Sequence, residues 1–165
     1  MMMHNPVFIF RVDNRLIHGQ VIVGWAKTLN LNKIVVANDE LSRDTVKLQM
    51  LKFAIPQELS VDFFTLEQTV EAYQKEAWQK LDTMLLVKYP KDAYELVSRG
   101  IHASVINIGG LYMEDGCQMI AENISVNQEE KEFLEKLLSM NIRLEGRALP
   151  MDEELDVNRL LQKFK

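Results

Sequence analysis

Arg11, Asp13, Arg15 and His18 fall within one eight-residue stretch, and Gly19 and Gln20 follow directly. A neutral imidazole is a nucleophile near physiological pH, because its ordinary pKa is about 6.5. A phosphoryl group taken up by such a ring at a helix start would lie beside backbone amides that favour negative charge. An arginine could grip the phosphoryl oxygens through its planar fork. A carboxylate could orient the ring or the arginine by hydrogen bonding. Gly19 lets backbone approach a bulky tetrahedral group. The plain alternative is a polar surface turn, with Arg11 and Asp13 forming an ion pair worth about 0–1 kcal/mol.

The elements around this stretch set where it sits. Val7 to Phe10 is a short apolar, β-branched and aromatic run that reads as a buried strand. After His18, the positions Val21, Ile22, Trp25, Ala26 and Leu29 form one helical stripe. Further strands are expected at Lys33 to Ala37, Ser60 to Thr65, Thr83 to Val87, Ala103 to Ile108 and Ile142 to Leu149, with weaker strand character from Cys117 to Ser125. Helices are expected from Ser42, with Val46, Met50, Phe53 and Ala54 as the buried face, and from Leu66 to Trp78. Others run from Pro90 to Arg99, after the cap Asn127, and from Leu155 to Phe164. This alternation predicts an α/β fold: a single doubly wound, mostly parallel sheet with helices on both faces, residues 1–165 forming one domain. Ligand chemistry in such sheets gathers where strands end and loops lead to helices. The loops Arg11–His18, Asn38–Arg43, Lys88–Lys91 and Gly109–Gly116 are therefore the ones to inspect.

Composition narrows the function classes. Of the 165 residues, 47% are apolar and 26% charged, which is ordinary globular composition. The net charge is -5 and no basic tract exists, so nucleic acid is not an expected partner. The single cysteine, Cys117, allows no internal disulfide and reads as a small apolar filler. No apolar run is long enough to span a bilayer, and Met1 to Pro6 does not resemble a signal peptide. There is no G-x-x-x-x-G-K-[ST] string, no G-x-G-x-x-G string and no H-E-x-x-H string. No metal and no cofactor are expected. A flavin- or nucleotide-binding protein of flavodoxin type is therefore poorly supported, although Gly109-Gly110 resembles a phosphate-friendly turn. His4 falls in a loose N-terminus, and His102 is expected at the opposite end of the sheet from the active loops. The acidic runs Glu129–Glu132 and Asp152–Glu154 read as solvated faces.

The string Arg11-Val12-Asp13-Asn14-Arg15-Leu16-Ile17-His18-Gly19-Gln20-Val21, followed by Trp25, closely resembles the active loop of a known family. That family is the IIB component of the mannose/fructose/sorbose type of the bacterial phosphoenolpyruvate-dependent sugar phosphotransferase system. Val36-Ala37-Asn38-Asp39-Glu40, Val87-Lys88-Tyr89-Pro90, Asn107-Ile108-Gly109-Gly110 and Leu149-Pro150 also look like family segments. The resemblance implies a phosphocarrier that takes a phosphoryl group from a phosphohistidine of a IIA partner. It would hold the group on Nδ1 of His18 and pass it to a sugar bound by the membrane-embedded IIC and IID partners. It implies phosphoryl binding by Arg15, with supporting and orienting roles for Arg11 and Asp13. It implies a cytoplasmic protein, peripheral to the inner face of the membrane and not inserted in it. Asn14 departs from the acidic residue of many members, and Leu111-Tyr112 also departs from related sequences. Mannose, fructose, sorbose and N-acetylgalactosamine or related amino sugars all stay open as substrates. The alternative is a non-catalytic regulatory or anion-sensing module on the same fold.

Overall fold

The computed structural model describes residues 5–165. His4 and the first residues of the Met1 to Pro6 stretch lie outside the described residues. Five strands, β1 (Phe8–Asp13), β2 (Lys33–Ala37), β3 (Ser60–Phe64), β4 (Thr83–Val87) and β5 (Val105–Gly110), pair in parallel. A short hairpin, β6 (Gln118–Ala121) and β7 (Ile124–Val126), follows. Then β8 (Arg143–Gly146) adds in parallel to β5, and β9 (Leu155–Asp156) closes that edge antiparallel. Among the described residues the main sheet has seven strands in the order β3-β2-β4-β1-β5-β8-β9. The mostly parallel α/β sheet expected from the sequence is the one observed.

This order explains why the β1 loop is privileged. The chain leaves β1 toward β2 on one side of it, and later crosses from β4 to β5 on the other. The C-terminal end of β1 thus lies at a switch point, where a crevice opens between diverging connections. Helices cover both faces. A π-helix, Gln20–Lys27, packs with α1 (Asp39–Arg43) and α2 (Thr45–Ala54) over Ile34, Val36, Met84 and Leu86. On the other face α3 (Leu66–Gln74), α4 (Pro90–Ser98), α5 (Gln128–Ser139) and α6 (Val157–Leu161) cover Phe10, Val12, Val35, Leu85, Ile106 and Ile108. Alternation along β1 then sends Phe10 and Val12 to the second face, and Arg11 toward Trp25 of the π-helix.

Several local expectations need correction. Strand β1 does not stop at Phe10 but runs through Arg11, Val12 and Asp13, because Arg11 and Asp13 satisfy each other inside the sheet. The helix expected from Ser42 is two helices, with Asp44 accepting from the Lys47 N–H to cap the second. Its buried face is not the expected one. Val46, Met50 and Phe53 are 69%, 69% and 94% exposed, while Leu48 and Leu51 turn inward. That helix carries apolar residues on two sides, Val46, Met50 and Phe53 on one and Leu48 and Leu51 on the other, so spacing alone did not choose a face. Helix α3 ends at Gln74, and Trp78 reaches the core from the following turn. Leu155 and Asp156 pair with β8, so the last helix starts only at Val157. Glu130 is buried, not solvated, because its carboxylate turns back to accept from the Asn127 N–H at 2.9 Å.

Asp92, in the first turn of α4, carries a measurable consequence. Burial pushes its carboxyl up to about 6 against the hydrogen bond from the Tyr89 N–H, with nearby Asp39 adding to the rise. A folded value above the ordinary 3.8 gives stability that is complete at low pH and is lost as pH rises through about 6. Between about pH 5 and pH 8 the protein should therefore lose about 1 kcal/mol that Asp92→Asn does not lose. Urea unfolding of both proteins at the two pH values checks this.

Candidate active site

The structure brings all four expected residues together at the C-terminal end of β1. Asp13 is the hub, with its side chain fully buried. Its Oδ2 accepts from Arg11 Nη2 at 3.0 Å and lies 2.8 Å from His18 Nε2. Its Oδ1 accepts from the Arg15 backbone N–H at 3.0 Å and faces Arg15 Nε at 3.4 Å. A β-bulge makes this possible. Arg11 and Val12 pair with Asn107 and Ile108, but Asp13 pairs with Gly110, so the strand re-aims Asp13 as it ends. The chain then turns tightly through Leu16, at φ 58°, with the Leu16 N–H bonded to the Asp13 carbonyl at 3.0 Å.

Arg11 is no surface ion-pair partner. It is fully buried, which excludes the plain surface-turn alternative for this pair. Beyond Asp13 it donates to Asn107 Oδ1 at 2.6 Å and to the carbonyls of Arg147 and Ala148 at 3.1 and 3.2 Å. Its guanidinium also lies 5.1 Å from the Trp25 ring centre. Gly109 makes room for it, since a Cβ there would meet Arg11 Cζ at 1.8 Å. The Gly109-Gly110 pair thus serves Arg11 and the bulge; the Gly109 carbonyl accepts from Asn123 Nδ2 at 2.8 Å. Burial lowers the Arg11 pKa, opposed by the charge and hydrogen bond of Asp13. Burial also tends to raise the Asp13 carboxyl, but the His18 hydrogen bond and the Arg11 charge outweigh it and hold it below its ordinary value.

An ionised Asp13 can only accept, so it selects the His18 tautomer with hydrogen on Nε2. The lone pair is then on Nδ1, which makes no hydrogen bond among the described residues. The ring is 17% exposed, reachable without being loose. The backbone N–H groups of Ile17, His18 and Gly19 have no hydrogen-bond acceptor among the described residues, and the π-helix starts directly after them. Arg15 is the exposed cation of the group, its side chain 36% accessible and its Nη2 donating to Gln20 Oε1 at 2.8 Å. A partly exposed imidazole, a free Nδ1, free amides and an accessible guanidinium form a place where a tetrahedral anion can be attached and held.

Sequence reading gave no site role to Asn107, Tyr112 or the Arg147–Ala148 backbone, which wall the site from β5, the β5–β6 loop and the segment after β8. These contacts span up to 137 residues, so no local spacing marks them. His102 precedes β5, which runs parallel to β1, so it lies at the opposite end of the strands from the His18 loop. Cys117 is half-buried, with its thiol pushed up by burial.

Residues 7–165 match the family model of the PTS system sorbose subfamily IIB component. The mannose-specific EIIAB component of Escherichia coli K12 is 31% identical over 154 residues, 93% of this chain and 48% of that protein. The chain thus spans about half the length of that curated relative. The sorbose-specific EIIB component of Klebsiella pneumoniae is 27% identical over 151 residues, 92% of each chain. Among solved structures, the IIBSor domain of the sorbose permease from Klebsiella pneumoniae matches with a TM-score of 0.89 at 26% identity, covering 97% of this chain and 98% of that one. An N-acetylgalactosamine IIB component from Streptococcus pyogenes matches with a TM-score of 0.86 at 30% identity, covering 95% and 99%. The chain belongs to the sorbose-subfamily IIB components of the sugar phosphotransferase system, the family its His18 loop resembles.

Proposed function

We propose that this chain is a phosphocarrier that accepts a phosphoryl group on His18 from a phosphohistidine of a IIA partner and delivers it to a sugar held by IIC and IID membrane partners. The observation that carries the reading is the division of labour on the His18 ring. Asp13 occupies Nε2, and Nδ1 is left with its lone pair on an accessible face. The name of the E. coli relative, a mannose-specific EIIAB component, joins an A and a B part and supports a IIA donor.

In the first step Nδ1 of His18 attacks phosphorus. The donor P–N bond breaks, its electron pair returns to the donor ring, and that ring takes up a proton. In the second step a sugar hydroxyl attacks, loses its proton, and the electron pair of the His18 P–N bond returns to Nδ1. Charge in a loose transition state spreads over the equatorial oxygens, so positioning and electrostatics do most of the work. Arg15 and the free amides meet that charge. Asp13 stabilises the Nε2–H side of the phosphorylated ring, and Arg11 fixes Asp13. Residues 1–165 act in this reading as one IIB domain, working in the cytoplasm at the inner face of the membrane. No described helix is long and apolar enough to cross it.

The test is incubation with the upstream phosphotransferase proteins, a IIA partner and labelled phosphoenolpyruvate. One acid-labile label per chain is expected. A chain that binds phosphate yet never takes label would instead be the anion-sensing module. Arg15→Ala should slow labelling on the order of 10²-fold, as for loss of a preorganised donor at developing charge. Its unfolding free energy should change by less than about 1 kcal/mol, because the guanidinium is partly solvated. A large stability loss with an unchanged rate would make Arg15 structural.

A further inference from the structure

We infer that Tyr112 is a positioning residue for Arg15: its ring sets the plane of the Arg15 guanidinium so that the fork faces the phosphoryl group on His18. This inference rests on the phosphocarrier reading. The Arg15 guanidinium carbon lies 4.0 Å from the centre of the Tyr112 ring. Its other contacts are the 3.4 Å approach of Nε to Asp13 Oδ1 and the 2.8 Å bond from Nη2 to Gln20 Oε1. Those two contacts run along one side of the fork, and the first is long. Neither fixes the tilt of the plane, whereas a ring face does. Nη1 makes no hydrogen bond among the described residues, so the stacked arginine keeps donors in reserve for an anion.

Tyr112 is itself held firmly. Its ring fills the space that Gly110 leaves by lacking a Cβ, which would stand 2.5 Å from Tyr112 Cε2. Its carbonyl accepts from Asn14 Nδ2 at 3.1 Å. The preceding Leu111 is tied to the β6–β7 hairpin, donating to the Asn123 carbonyl at 3.0 Å and accepting from the Ser125 N–H at 2.7 Å. The platform therefore belongs to a different part of the chain from the His18 loop. It brings a rigid ring to a flexible side chain, which lowers the entropy that Arg15 would otherwise lose on gripping a phosphoryl group. The Tyr112 hydroxyl has no hydrogen-bond partner among the described residues, so the ring face and not the hydroxyl carries the effect.

The experiment measures the initial rate of His18 labelling from a phosphorylated IIA donor. Tyr112→Ala should slow it about tenfold, within the range of a partly desolvated cation–π contact. Tyr112→Phe should stay within about twofold of wild type, since the ring face is kept. Tyr112→Leu, which keeps apolar bulk without a π face, should behave as Ala and covers the case in which Ala does not fold. In an Arg15→Ala background, Tyr112→Ala should cause no further loss, because the ring acts only through Arg15. The Arg15 side-chain proton resonances should show upfield ring-current shifts in wild type and Phe, and lose them in Leu. A labelled wild type with unchanged Ala and Leu variants overturns the inference. So does an equal loss in both Arg15 backgrounds, or a Phe variant as slow as Ala. A wild type that takes no label overturns the phosphocarrier reading itself, and the role of Tyr112 falls with it.

Discussion

His18→Ala is expected to take up no acid-labile phosphoryl label under conditions that label the wild type fully. The loss should be complete because no second group can stand in. His102 lies at the other end of the strands, beyond reach of the loop. The Cys117 thiol is pushed away from the reactive thiolate form by burial. Removing the imidazole takes one partner from Asp13 but leaves Arg11 and the Arg15 N–H in place. The variant should therefore fold, with circular dichroism and a thermal midpoint close to wild type. Normal labelling of the variant would show that another side chain carries the phosphoryl group.

Asp13→Asn should damage both the fold and the transfer. Arg11 and Asp13 are both fully buried, and their pairing is what makes an arginine tolerable inside β1. Removing one charge of such a pair leaves the other uncompensated, at a cost of about 3–5 kcal/mol. Urea unfolding at neutral pH checks this. The pH dependence follows from the lowered Asp13 pKa. A carboxyl held below its ordinary 3.8 contributes stability that is complete above that value and is lost as pH falls through the lower folded value. Wild type should thus weaken on acidification in this range while the Asn variant, already lacking the term, weakens less. Transfer should suffer separately. An amide can donate to the ring and favour the tautomer with hydrogen on Nδ1, which removes the lone pair from the accessible nitrogen. A tautomer error of this kind costs on the order of 10²–10⁴ in rate. A variant that is stable and labels normally would refute the orienting role of Asp13.

Much of this site was legible before the fold was. Arg11, Asp13, Arg15 and His18 are close in sequence, so the chemistry of their side chains could be read from one string. The parallel sheet was legible for a similar reason: short β-branched runs alternate with amphipathic stretches. What the string did not carry was burial. Arg11 reads as a loop cation and is a core residue, because its partners Asn107, Arg147 and Ala148 come from β5 and beyond. The π-helix was also hidden. Val21, Ile22, Trp25 and Ala26 share a face whether the backbone bonds i→i+4 or i→i+5, so over eight residues the two windings look alike. The exposed Val46, Met50 and Phe53 show the same limit from the other side, since a helix with apolar residues on two sides gives no single stripe to follow.

The central claim is that Asp13 reserves Nε2 of His18 and leaves Nδ1 to carry the phosphoryl group. Long-range ¹H–¹⁵N correlation spectra of the phosphorylated protein, with ¹⁵N-labelled histidine, test it directly. The account predicts that phosphorylation shifts the Nδ1 resonance of His18 while Nε2 retains its proton. A phosphoryl group on Nε2, or on any other residue, would contradict it.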